Sequence, residues 1–152
     1  MENLTRNIQA EQSVLGAILL DKSAITEIEP LLKVEMFSST AHQIIFDCMI
    51  DIHNNKEPID LITITEKLRA IGHLEDIGDI SYITSLSTIV PTTSNISHYA
   101  NIILEKYKNR NIIEKFESFK RGEIDRTTLV YQLENEIELV DKRLIKKDTS
   151  IS

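Results

Sequence analysis

Four histidines, His42, His53, His73 and His98, and a single cysteine, Cys48, carry the widest chemical repertoire in this chain of 152 residues. Metal binding needs several such ligands at close spacing. These five are dispersed, with no H-E-x-x-H and no pair of cysteines. His42 sits at the start of a helix beside an apolar stripe, and a packed, hydrogen-bonded role is expected for it. His98 precedes Tyr99 and Ala100 and can do the same. Cys48 falls on the apolar face of its helix, where a cysteine is an inert core residue. Glu75 and Asp76 read as solvated turn residues. Phosphate cradles need a glycine-rich loop before a helix, G-x-x-x-x-G-K-[ST] or G-x-G-x-x-G. The four glycines, Gly16, Gly72, Gly78 and Gly122, form neither. No catalytic residue, cofactor-binding residue or metal ligand is therefore expected.

Charge narrows the partners. Residues 1–98 carry 6 basic and 14 acidic side chains, whereas residues 99–152 carry 11 and 10. Nucleic-acid backbones are bound by clustered Lys and Arg that release counterions. The first two-thirds is thus a poor nucleic-acid surface, and its acidity suits a basic protein partner. The cluster Lys142, Arg143, Lys146 and Lys147 closes the last helix, where cations complement the helix dipole. No apolar run approaches the ~20 residues that span a bilayer, and no leader is visible, so a cytoplasmic location is expected. One cysteine excludes an internal disulfide.

The elements that position these residues read as helices. Gly (4) and Pro (3) are too few for the many turns of a sandwich or barrel. Val14, Leu15, Ile18 and Leu19 place a helix over Ala10–Leu20. A second covers Ala24–Leu32. Ser38 or Ser39 caps a third, running to about Asn54, with Ile44, Ile45, Cys48, Met49 and Ile52 facing inward. Ile59–Ile64 alternates like a strand but lacks a partner. Thr63, with Glu66 three residues on, caps a helix from about Ile64 to Ile71, stopped by Gly72. Another spans Asp79–Ile89, before Pro91. Two long helices follow. Tyr99, Ile102, Ile103, Tyr107, Ile113 and Phe116 define the first. Leu129, Leu133, Ile137, Val140 and Leu144 define the second, after a break at Lys120-Arg121-Gly122. The expected organisation is all-α, with a globular helical body over residues 1–93, an αα-hairpin over 94–147 and a polar tail over 148–152.

The order of several short blocks is informative. Ala10-Glu11-Gln12-Ser13-Val14-Leu15-Gly16-Ala17-Ile18-Leu19-Leu20-Asp21 opens the series. Phe37 with His42-Gln43-Ile44-Ile45-Phe46 follows, then Pro58-Ile59-Asp60-Leu61-Ile62-Thr63 and Leu68. Leu74-Glu75-Asp76-Ile77-Gly78 with Tyr82 and Leu86 comes next, and Val90-Pro91-Thr92 with Asn95, His98-Tyr99-Ala100 and Arg110 closes it. In this order the chain resembles the N-terminal domain of the replicative DNA helicase family, the DnaB-like helicases, firmly over Ala10–Arg110 and loosely to Leu144. That family usually has a glycine pair where this chain has Gly78-Asp79. Loss of the second glycine matters little if Asp79 takes helical angles at the start of a helix.

The resemblance implies a non-catalytic domain whose hairpins pair between subunits and build a ring collar. It also implies docking of a DnaG-type primase, with a helicase loader as a further possible partner. The ATPase motor of that family is a separate domain. An apolar hairpin stripe left uncovered is an association surface, and Leu129, Leu133, Ile137 and Val140 are expected at the dimer interface. Phe116, Phe119 and Ile124, at the hairpin tip, are expected to dock primase. A natural stand-alone phage or mobile-element protein that binds a host helicase or loader as a decoy stays open, as Met1 and an end at Ser152 allow. So does an unrelated enzyme. Continuation of the reading frame past Ser152 into a Walker A motif separates fragment from stand-alone protein.

Overall fold

The computed structural model describes residues 3–89 and 95–148, with 138–148 described by their backbone alone. Among the described residues every regular element is helical: α1 (Ile8–Leu20), α2 (Ala24–Ile28), a 3-10 turn (Val34–Met36), α3 (Thr40–Asn54), α4 (Leu61–Ala70), α5 (Asp79–Ile89), α6 (Ile96–Lys120) and α7 (Arg126–Asp148). Of the strand-like stretch Ile59–Ile64, residues 61–64 form the first turn of α4.

Side-chain caps set the helix starts. Asn7 accepts from the Ala10 amide at 3.0 Å and begins α1 at Ile8, two residues before the expected start at Ala10. Ser39, one of the two serines expected there, caps α3 by accepting from the His42 amide at 3.3 Å. The start of α4 differs from the expectation that Thr63 is the cap. Asp60 accepts from the Thr63 amide at 2.9 Å, and the Asp60 amide donates back to the Thr63 hydroxyl at 2.9 Å. This reciprocal pair starts the helix at Leu61 and puts Thr63 in its first turn. α2 ends at Ile28, earlier than the expected Leu32.

The chain divides into two compact units, Met1–Tyr107 and Lys108–Ser152, with the boundary inside α6. In the first, α1 packs chiefly on α5 and α3 on α4. Val14, Leu15, Ile18, Phe37, Ile45, Phe46, Met49, Ile64, Leu68 and Ile83 form its centre. Phe37 and Phe46 meet at 4.8 Å between ring centroids, a separation typical of favourable aromatic pairs. The second unit holds the rest of α6, the turn and α7. Val90–Ser94 and the tail beyond Asp148 lie outside the described residues, and with them Pro91 and Thr92.

Two non-glycine residues occupy left-handed backbone angles: Lys56 (φ 60°) and Asp79 (φ 66°). Asp79 is a correction. The position where the family has its second glycine is left-handed in this chain, not helical, so the missing glycine has a conformational cost. Asp tolerates these angles better than most residues, which reduces that cost. Gly78 (φ 102°) is required twice over: a β-carbon there would lie 2.9 Å from Cβ of Tyr82.

Candidate functional site

Two constellations emerge from these elements: a buried polar cluster in the first unit and an apolar surface on the second.

The cluster centres on His42, 1% exposed, and Glu11, 2% exposed. His42 Nδ1 lies 2.8 Å from Glu11 Oε1, and His42 Nε2 lies 2.5 Å from the Tyr82 hydroxyl. Gln12 Nε2 donates to that hydroxyl at 3.2 Å. The other Glu11 oxygen accepts from the Ser38 hydroxyl at 2.6 Å and the Ser38 amide at 3.0 Å. One assignment satisfies every atom: Nδ1–H donates to Glu11, and Tyr82 O–H donates to Nε2. Burial pushes the Glu11 pKa up, but the bonds from His42 and Ser38 outweigh it, and the carboxyl titrates below its usual value. Among the described residues no buried side-chain nitrogen or oxygen lacks a partner.

A carboxylate, an imidazole and a hydroxyl in series have the connectivity of a general-base relay. Here the imidazole is sealed, with both nitrogens occupied inside the core. A base must come within hydrogen-bond reach of a substrate proton, which this one cannot. The chemistry of the cluster is structural: it joins α1, the Ser38 segment, α3 and α5 at one point. His42 is thus packed and hydrogen-bonded, as its position suggested. Glu11 and Tyr82 were not foreseen as its partners, nor Ser38 as a donor to Glu11. A glutamate inside the apolar stripe of α1 was the available signal, because a buried carboxylate demands donors.

The remaining reactive side chains are placed as follows. Cys48 is buried, and burial, reinforced by the charge of Asp47, pushes its thiol to about 11 against the nearby Lys67. His73 Nδ1 lies 2.7 Å from exposed Asp76, and His98 meets the Tyr99 ring edge-on. Among the described residues no group of three or more His, Cys, Asp and Glu could hold a metal.

On the second unit the turn between the helices is tightly built. Gly122 (φ 78°) takes the left-handed position. Its amide donates to Phe119 O and that of Glu123 to Ser118 O, both at 3.0 Å, the paired bonds of a Schellman end. Arg121 spans Glu114 (3.0 Å) and Glu123 (2.8 Å) and lowers the Glu123 pKa through its hydrogen bonds. Asp125 caps α7 by accepting from the Thr128 amide at 2.7 Å. Lys108 is buried, and its ammonium donates to Glu136 O across the hairpin.

The expected interface residues divide. Leu129 is buried within the chain, Leu133 is half-buried and Ile137 is 54% exposed; the Val140 side chain lies outside those described. At the tip Phe116 is 46% exposed, while Phe119 and Ile124 are half-buried. Ile113, Val130 and Tyr131, not singled out from the sequence, are also exposed.

The described residues form a capped, all-helical fold with a sealed polar centre and a hairpin that carries exposed apolar side chains. Residues 3–105 match the DnaB-like helicase N terminal domain, and the chain belongs to that family. It is 43% identical over 108 residues to the replicative DNA helicase DnaB of Geobacillus stearothermophilus, covering 71% of this chain and 24% of that protein. Its identity to the replicative DNA helicase DnaC of Bacillus subtilis is the same over the same length and shares. The chain thus spans about a quarter of the length of these relatives. The crystal structure of the N-terminal domain of DnaB helicase from Mycobacterium tuberculosis superposes with a TM-score of 0.78 at 33% identity, covering 90% of this chain and 99% of that one. A structure of a DnaB-like replicative helicase and its interactions with primase has a TM-score of 0.69, covering 90% of this chain and 31% of that one. At 24% identity it supports the fold alone.

Proposed function

We propose that this chain acts as the assembly and docking domain of a replicative DNA helicase: copies pair through their hairpins, and the hairpin tip receives a DnaG-type primase. The observation that carries this reading is the apolar surface of the second unit, where Ile113, Phe116, Val130, Tyr131 and Ile137 are each at least 39% exposed. Large apolar side chains left exposed on one unit are candidates for an association surface. Burying them gains roughly 25 cal/mol per Å² of apolar area, less the cost of association. A two-fold contact between identical surfaces closes on itself.

In this reading Leu133, Ile137 and Val140 belong to the pairing seam, Leu129 supports it from inside, and Phe116, Phe119 and Ile124 meet primase. The primase is taken from the described interactions of a relative in fold and is itself part of this proposal. The ring collar, the ATP-driven unwinding of the whole helicase and contact with a helicase loader belong to the same proposal. Sedimentation equilibrium of wild type against Leu133→Glu tests the pairing. A concentration-dependent dimer lost in the variant is expected, and a monomer in both overturns it. Primase retention by wild type and its loss in Phe116→Ala test the docking. Equal retention overturns that part.

A further inference from the structure

The first unit contains a cleft of about 400 Å³ between the start of α2, the end of α3 and the segment leading to Ile59. Its floor is apolar: Ile25 and Ile59 are buried beneath it, and Pro58 lies on its surface. Lys22 and Lys56 line its rim, with His53 and Glu57 on its walls. The volume lies in the ~300–1,000 Å³ range of clefts that enclose a ligand or a few side chains.

Two of the few cations of the first unit meet on this cleft. Residues 1–98 carry only 6 Lys and Arg against 14 Asp and Glu. Among the described residues Lys67 pairs with Asp51 and Arg69 with Glu66, whereas Arg6, Lys22, Lys33 and Lys56 form no ion pair, and two of these four line the cleft. His53 lies 3.8 Å from Glu29, and Glu57 is the acidic residue in the lining. Lys56 also holds the left-handed end position of α3. Its amide donates to His53 O at 3.0 Å, and that of Glu57 to Ile52 O at 3.1 Å. Glycine fills this position without strain, so a lysine there gives up conformational ease for a cation on the rim. Strained positions of this kind concentrate at ligand clamps.

From the unpaired cations over an apolar floor we infer that this cleft binds a short acidic peptide segment of a partner protein, one aliphatic or aromatic side chain seated on Ile25, Pro58 and Ile59 and flanking carboxylates on Lys22 and Lys56. The site lies on the first unit and is independent of the hairpin.

The test is an amide-shift NMR titration of the 152-residue chain with the blocked hexapeptide Asp-Glu-Leu-Phe-Asp-Glu. Parallel arms use the uncharged Ser-Gln-Leu-Phe-Ser-Gln and a thymidine hexanucleotide. Saturable shifts at Ile25, His53 and Ile59 with the acidic peptide are expected, weakened about fivefold in Lys22→Ser/Lys56→Ser, as two exposed ion pairs allow. Lys56→Gly separates binding from folding: it should raise Tm by relieving the backbone while weakening the peptide. Equal binding of the uncharged peptide, preference for the oligonucleotide, shifts centred elsewhere, or a Lys56→Gly variant that binds as wild type overturns the inference.

Discussion

At the scale of single residues, the domain depends on a carboxylate and an imidazole that are each removed from water. Glu11 accepts two bonds from Ser38 and one from His42. His42→Ala would strand the Glu11 charge and the Tyr82 hydroxyl, and about 3 kcal/mol of stability should be lost on urea unfolding. Because the folded pKa of Glu11 lies below its ordinary value of 4.5, its contribution is present above that value and disappears as pH falls through the folded pKa. Urea midpoints measured from pH 6 down to pH 3 should fall less steeply in Glu11→Gln than in wild type, from a lower starting stability. Parallel slopes would show that Glu11 carries none of the acid sensitivity. Gly78→Ala combines a left-handed angle with a 2.9 Å clash on Tyr82 and should cost about 2 kcal/mol or more. Asp79→Gly, beside it, should be neutral to stabilising, by up to about 1 kcal/mol.

At the scale of elements, what could be read from sequence depended on whether the signal was local. The stripes of α1, α3 and the hairpin follow the 3.6-residue period, and those elements lie where periodicity puts them. The start of α4 was misplaced because Thr63 and Asp60 both have capping side chains. The choice between them was set by the reciprocal bond, which stabilises two amides at once. Asp60→Ala should therefore fray Leu61–Thr63 and lower stability by about 1 kcal/mol, visible as accelerated amide exchange confined to that turn. The polar cluster was half legible: His42 stood out, but its partners lie 31 and 40 residues away, and no spacing rule links them. Asp79 was misread because its left-handed angle comes from the turn closing on Leu74 O, which residue type does not reveal.

At the scale of the molecule, the two units differ in what covers their apolar side chains. The first buries most of its Ile, Leu and Phe side chains around α1 and α3 and exposes Leu4, Leu20, Ile62, Ile71, Ile80 and Ile89, whereas the described part of the second buries Leu129 and exposes five large apolar residues. Local opening is easiest where buried apolar contact is sparse. Amides beyond Lys108 in α6 and α7 should thus exchange faster than those of α1 and α3 in dilute protein. They should slow as concentration rises if hairpins pair, and concentration-independent exchange would count against pairing. The sealed relay has a further bearing on biosynthesis. The ribosome releases Glu11 first, then His42, and only after another 40 residues the tyrosine that occupies the second imidazole nitrogen. Until α5 emerges, the nascent chain carries a histidine whose Nε2 lacks its native partner, although Glu11 is already there for Nδ1. The amino-terminal helices then have no complete interior to commit to, and the first unit must acquire its fold late and in one piece.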